Sequence, residues 1–151
     1  MKSVLASLKP YYYYLVGEGI KKIEVRKNTP RTSDWNKEVL FYMSKDVKSF
    51  DKIPKELQEK YRKHFGKVGL KFICDKVEKF IVGGLLSDDI EKLACLSHTE
   101  MINYFYKSEE LDGNTAKFGY GWHISDLKIY DKPMLLEELG VDKAPQSWRY
   151  V

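Results

Sequence analysis

Polar and apolar residues alternate through Lys22-Ile23-Glu24-Val25-Arg26-Lys27, and Tyr120, Trp122 and Ile124 repeat that period of two much later in the chain. Such alternation suits a strand with one face in a core and the other in a polar setting, and a helix does not satisfy it. Further strands are expected over residues 3–8, 38–44, 67–82, 118–130 and 147–151. Val68, Leu70, Phe72 and Cys74 share one face of the fourth of these six segments.

Short helices should separate the strands. Pro10 suits a first helical turn, where its missing N–H costs nothing. Tyr11, Tyr14 and Leu15 then form the buried face, and Gly17 and Gly19 end the helix. Of the four tyrosines from Tyr11 to Tyr14, helical geometry sends two inward and two outward. The charged run from Pro54 to Phe65 reads as a surface helix or an insertion. A short helix is expected over 88–96 after the break at Gly83-Gly84, and one or two helical turns over 133–139, closed by Gly140. Ser97-His98-Thr99-Glu100 has the form of a capping box, which predicts a helix over 98–107. Asn28 to Trp35 reads as a loop and Asp112-Gly113-Asn114 as a turn. Strands with helices between them give an α+β domain organised around a barrel, with the topology left open.

The length of 151 residues fits one domain. Lys and Arg exceed Asp and Glu by 26 − 22 = 4, an excess that permits a polyanionic partner and serves solubility equally well. Cys74 and Cys95 form no Cys-x-x-Cys pair, and His64, His98 and His123 are scattered. Neither a structural metal nor another cofactor is therefore expected. Two lone cysteines without an export signal suggest a cytoplasmic protein, and no run of ~20 apolar residues offers a membrane span.

Chemistry concentrates in Gly19-Ile20-Lys21-Lys22-Ile23-Glu24-Val25-Arg26. A glycine releases the chain from a helix, a lysine follows, and a strand then presents a carboxylate and a guanidinium on one face. The trio can hold a phosphate or a polar base edge: Arg26 as a planar fork, Lys21 as a point charge, Glu24 as an acceptor for amino groups. An exposed Glu–Arg pair at a helix–turn–strand corner, worth ~0–1 kcal/mol, is the plainer alternative.

Gly19-x-Lys21-x-x-Glu24-x-Arg26 resembles the GxKxxExR signature of the ASCH superfamily, a branch of PUA-like domains. It sits where that family has it, after the first helix and opening the second strand. Cys95-Leu96-Ser97, the run from Tyr120 to Pro133 and the run from Ala144 to Val151 resemble further stretches of small phage and prophage-type members. Residues 45–66 are the least typical and read as a family-variable insertion in a single domain over 1–151. The resemblance implies a PUA-like mixed β-barrel of about five to seven strands with two to four flanking helices. It also implies a cleft beside the signature loop, with RNA or a modified nucleotide as ligand.

Some relatives are hydrolases. One group resembles amidohydrolases acting on N4-acetylcytidine with a Lys, a Thr and a distant Glu. Lys21 falls on that lysine, whereas Glu24 stands where that threonine would be. Another relative resembles a metal-dependent ribonuclease, the one reading that would bring in a divalent ion. As an enzyme the chain would use Lys21 to stabilise an oxyanion and Glu24 as a base. A carboxylate beside two cations is a weak base, so binding is favoured over turnover. A third reading keeps the barrel as a protein-interaction domain without a ligand, and residues 45–66 covering Lys21 and Arg26 would favour it.

The expected ligand-binding set is Gly19, Lys21, Glu24, Arg26, Tyr42, Ser44, Tyr120, Trp122, His123 and Ser125. Tyr120 and Trp122 can stack a base or pack in the core. His123, on the face opposite Trp122, can bond a phosphate or serve a structural role. Tyr42 and Ser44 share a strand face and can line the cleft or take ordinary core and surface places. Gln146, Ser147 and Trp148 can close one wall.

Overall fold

A computed structural model of the chain describes residues 1–84, 86–106 and 116–151. The expected turn at Asp112-Gly113-Asn114 lies outside these residues, as does the last position of the helix expected over 98–107. Six strands form one curled, half-barrel sheet: β1 (Lys2–Leu8), β2 (Ile23–Arg26), β3 (Trp35–Met43), β4 (Val68–Ile81), β5 (Phe118–Met134) and β6 (Trp148–Tyr150). Their order is β2-β5-β4-β3-β1-β6. β1 and β3 run parallel and every other neighbouring pair is antiparallel. The helices are α1 (Pro10–Gly17), α2 (Val47–Phe50), α3 (Lys55–Arg62), α4 (Ser87–Ala94) and α5 (His98–Phe105), with a 3-10 turn at Leu136–Leu139. None of them is long and apolar enough to cross a membrane.

β4 and β5 are the frame of the sheet, at 14 and 17 residues. Their register slips between Lys71 and Ile73 and again between Cys74 and Val77, which bends the pair and curls the sheet. β5 runs on to Met134, so Pro133 lies inside a strand rather than opening a helix. Register also slips between the pairs Leu70–Ile129 and Val68–Met134. Such a slip is where a residue without an N–H fits a strand.

Three apolar clusters follow from the alternation. Val4, Ala6, Val39, Phe41, Leu70, Phe72 and Trp122 pack inside the curl with the buried side of α1. Ile23 and Val25 point the other way, against Ile90, Ala94, Met101 and Phe105 of α4 and α5. Leu5, Leu40 and Tyr42 lie on the outer face, with Leu136 and Val141.

The buried side of α1 is Tyr13, Tyr14, Leu15 and Val16, and Tyr11 is only half-buried. Tyr13 goes fully inward because its hydroxyl meets His64 Nδ1 at 2.7 Å, a partner 51 positions away that spacing cannot reveal. Trp35, expected in a loop, opens β3 and packs 6.0 Å from Trp122 between ring centroids. Residues 45–66 contain α2 and α3 and dock on α1: Tyr61 donates to Glu18 Oε2 at 2.5 Å, and its ring fills the space over Gly17.

Candidate functional site

Gly19 ends α1 with a φ of +73°, a left-handed conformation that suits a residue without Cβ. The turn is closed by the Ile20 and Lys21 amides, both donating to the Leu15 carbonyl. The Lys22 amide then donates to the Leu93 carbonyl, which pins the corner to α4. β2 leaves from there, pairing Glu24 with Trp122 and Arg26 with Tyr120. Directly opposed residues share a face, so both charged side chains point into the curl beside those two rings.

Lys21, Glu24 and Arg26 converge, but under cover: they are 2%, 5% and 6% exposed. Arg26 Nε and Nη2 donate to Glu24 Oε2 at 2.9 and 2.5 Å. Nη2 also donates to the Ser7 carbonyl at 2.9 Å. Nη1 donates to the Ser147 carbonyl at 3.1 Å and to Ser147 Oγ at 3.3 Å. A guanidinium has five N–H groups, and here each is engaged. The group also lies 5.9 Å from the Trp122 ring centroid. Arg26 is a brace that joins β2 to β1 and to the segment before β6.

Lys21 Nζ donates to the Ala94 carbonyl at 2.5 Å and stands 3.4 Å from Glu24 Oε1. The Tyr12 ring lies over it, with its centroid 5.4 Å away. Tyr12 Oη in turn donates to Glu100 Oε2 at 2.6 Å. Glu100 Oε1 accepts from the Ser97 amide, completing the capping box of α5. One carboxylate therefore serves both the helix start and the ring that covers Lys21.

Burial pushes the Lys21 ammonium below its usual range, against the pull of Glu24. Burial pushes the Glu24 carboxyl up, but the charges and hydrogen bonds of Arg26 and Lys21 outweigh it and hold Glu24 below its ordinary value. Two cations against one carboxylate leave the cluster one positive charge in excess.

Of the expected set, Gly19, Lys21, Glu24, Arg26, Tyr120 and Trp122 come together. Trp122 is fully buried, so it backs the cluster rather than offering a stacking face. Tyr42 lies on the outer face of the sheet with Leu5 and Leu40, away from the trio. Ser44 follows β3, its amide donating to the Leu8 carbonyl. His123 alternates away from Trp122, as expected, and pairs with Glu78 through Nε2 at 2.5 Å. Ser125 is opposite Ile73 on that same turned-away side. Ser147 does close a wall, as an acceptor for Arg26. Trp148 donates from Nε1 to Asn28 Oδ1 at 2.7 Å.

Tyr12, the Ala94 carbonyl and Glu100 are the neighbours that sequence reasoning passed over. The tyrosine run carried a weak signal and the backbone carbonyl none. Residues 45–66 are not the cover, since they sit on α1. Asp88, Glu91 and His98 also gather, with ligand atoms within 4.8 Å of one another. Linear spacing hides this group because α4 and α5 each supply part of it.

No protein-family model matches the sequence, and no curated protein does. Solved structures do. The crystal structure of ASCH from Zymomonas mobilis aligns with a TM-score of 0.68 at 18% identity, over 99% of this chain and 87% of that one. Two single-substitution variants of the same protein, a Tyr→Phe and a Ser→Ala, align with TM-scores of 0.66 at 17% identity. They cover 100% and 99% of this chain and 91% and 88% of theirs. The chain has the ASCH-domain, PUA-like α+β fold.

Proposed function

We propose that this ASCH-fold chain binds RNA or a modified nucleotide and reads one base edge with Lys21 and Glu24. The observation that carries the reading is the division of roles within the trio. Arg26 has no donor left, whereas Lys21 Nζ and Glu24 Oε1, 3.4 Å apart, keep hydrogen-bonding capacity. A donor beside an acceptor at that spacing complements a base edge with an amino group next to a ring nitrogen or carbonyl. Exposed base edges of this kind are what single-stranded RNA offers. The excess positive charge favours a polyanion.

Admission requires the Tyr12 ring to move. The bond that holds it, Tyr12 Oη to Glu100, lies at the exposed rim. A hydrogen bond to a charged group is worth about 1.5–3 kcal/mol, which is within reach of base stacking and edge recognition together.

Calorimetric titration with single-stranded RNAs, nucleosides and N4-acetylcytidine at low salt tests the reading. The wild-type chain should bind at least one of these. Lys21→Met should lose at least ~10-fold in affinity at a temperature where circular dichroism shows it folded, and it should melt below wild type, because it takes the buried donor from the Ala94 carbonyl and from Glu24 Oε1. A wild-type protein that binds none of the panel sinks the proposal.

Hydrolysis is the second reading, and one observation favours it: Asp88, Glu91 and His98 offer the mixed carboxylate and imidazole donors that a divalent transition metal accepts. Glu24, held ionised, is a poor base and speaks against it. Turnover of labelled RNA that appears with Mn²⁺ and disappears in His98→Ala would reverse the ranking. Cys74 and Cys95 are both free thiols, which suits a cytoplasmic setting.

A further inference from the structure

Beyond the strand that carries Arg26, the chain builds a second opening, a cavity of about 420 Å³ lined by Lys27, Asn103, Tyr104, Tyr106, Lys117 and Phe118. Its size falls in the usual range of small-ligand pockets. Its lining holds two lysines and three exposed or half-buried aromatic rings, and none of its described lining residues is a carboxylate.

Each cation stands over a ring. Lys27 Nζ is 4.9 Å from the Tyr104 centroid and Lys117 Nζ is 6.0 Å from that of Tyr106. On the rim, Lys79 Nζ is 4.5 Å from the Phe118 centroid. Tyr104 and Phe118 are 39% and 47% exposed, large apolar surface left at an opening rather than in a core. Rings interleaved with lysines are the arrangement that holds single-stranded nucleic acid: bases stack on the rings while the cations follow the phosphates.

The cavity is joined to the Lys21–Glu24 cluster. Lys27 directly follows Arg26 and stands over the Tyr104 ring, and the Tyr104 phenol feels the charges of both Arg26 and Glu24. A ring between this cavity and the covered cluster is placed to separate two consecutive nucleotides once Tyr12 has moved.

We propose that this cavity is a second nucleotide subsite, taking the base and phosphate next to the one read by Lys21 and Glu24, so that the ligand is single-stranded RNA of at least two nucleotides. The inference rests on the nucleotide-binding reading above. On binding, Lys27 moves from the Tyr104 ring to the phosphate, and the incoming base takes the ring face that it leaves. Lys79 does the same at Phe118.

The test titrates wild-type protein, Lys27→Gln, Phe118→Ala and Lys21→Met with a nucleoside and with oligoribonucleotides of increasing length. The expected result is a gain in affinity from nucleoside to oligonucleotide. Phe118→Ala should cut that gain by roughly 5- to 150-fold, the range for loss of one stacked base. Lys27→Gln should lower the slope of log affinity against log salt by about 0.7, the value for one phosphate contact on a single strand. Nucleoside binding should stay unchanged in both. Lys27 is exposed, so Lys27→Gln remains informative if Phe118→Ala folds poorly. Oligonucleotide affinity and salt slope equal to wild type in Lys27→Gln and Phe118→Ala, with binding still lost in Lys21→Met, overturn the subsite and leave the base-reading cluster standing. Absence of any binding by the wild-type protein overturns both.

Discussion

Arg26 and Ser147, 121 positions apart, are joined by two hydrogen bonds from a single guanidinium nitrogen, at 3.1 Å to the carbonyl and 3.3 Å to Oγ. The same side chain reaches Ser7 on β1 and Glu24 on its own strand. Removing it should therefore cost stability before it costs recognition. Arg26→Ala leaves Glu24 buried with Lys21 as its remaining cation and takes a donor from each of the Ser7 and Ser147 carbonyls. Breaking a buried pair in this way costs about 3–5 kcal/mol, which for a domain of this size lowers Tm by roughly 6–20 °C. Thermal unfolding followed by circular dichroism measures it. A shift under ~2 °C would show that the brace is not structural.

His64 should set an acid limit on stability. It is fully buried, and burial, helped by the charges of Lys63, Lys60 and Lys67, lowers its pKa from 6.5 to about 4. The unfolded chain then binds a proton between pH 6.5 and 4 that the folded chain refuses, so stability falls as pH drops through that window. The full effect is roughly 3 kcal/mol. Urea unfolding at half-unit pH steps should show the slope between pH 6.5 and 5.5, before the unfolded chain's carboxyls, ordinarily near 4.5, take up protons that the lowered carboxyls of Glu18, Glu24 and Glu100 refuse. In His64→Gln the profile over that interval should be flat.

Gly69 should not tolerate a methyl group. A Cβ there would lie 2.1 Å from His64 Nδ1 and 2.7 Å from Tyr13 Oη, the two atoms of a buried hydrogen bond. Both rings are packed on every side, so Gly69→Ala should destabilise by about 1–3 kcal/mol. A denaturant midpoint within error of wild type would contradict this.

Ser97→Ala removes the side chain that accepts from the Glu100 amide at 3.0 Å. Loss of such a cap costs about 0.5–2 kcal/mol. Hydrogen exchange of the first turn of α5 is the sharper measurement, since faster exchange there with an unchanged core marks local fraying.

That cap was legible from four letters, because both partners lie within one turn. Pro10 at the start of α1 and the alternation of β2 were legible for the same reason. The corner motif was readable as a convergence of Lys21, Glu24 and Arg26. Its burial was not, because the groups that enclose it arrive from Ser7, Tyr12, Ala94 and Ser147. Tyr42 illustrates the same limit: its strand was found, but only the pairing of β1 with β3 shows that its face turns outward. Residues 133–139 show it again: a helical turn closed by Gly140 forms over Leu136–Leu139, while Pro133 stays in β5 beside a slip in strand register that depends on Val68 and Leu70.

Glu100 spends one oxygen on the Ser97 amide and the other on the Tyr12 hydroxyl. Loosening the first turn of α5 and unlatching the ring above Lys21 thereby become parts of one equilibrium. A ligand that displaces Tyr12 takes away one of the two bonds that fix the Glu100 carboxylate, and conditions that fray the helix leave the doorway ajar.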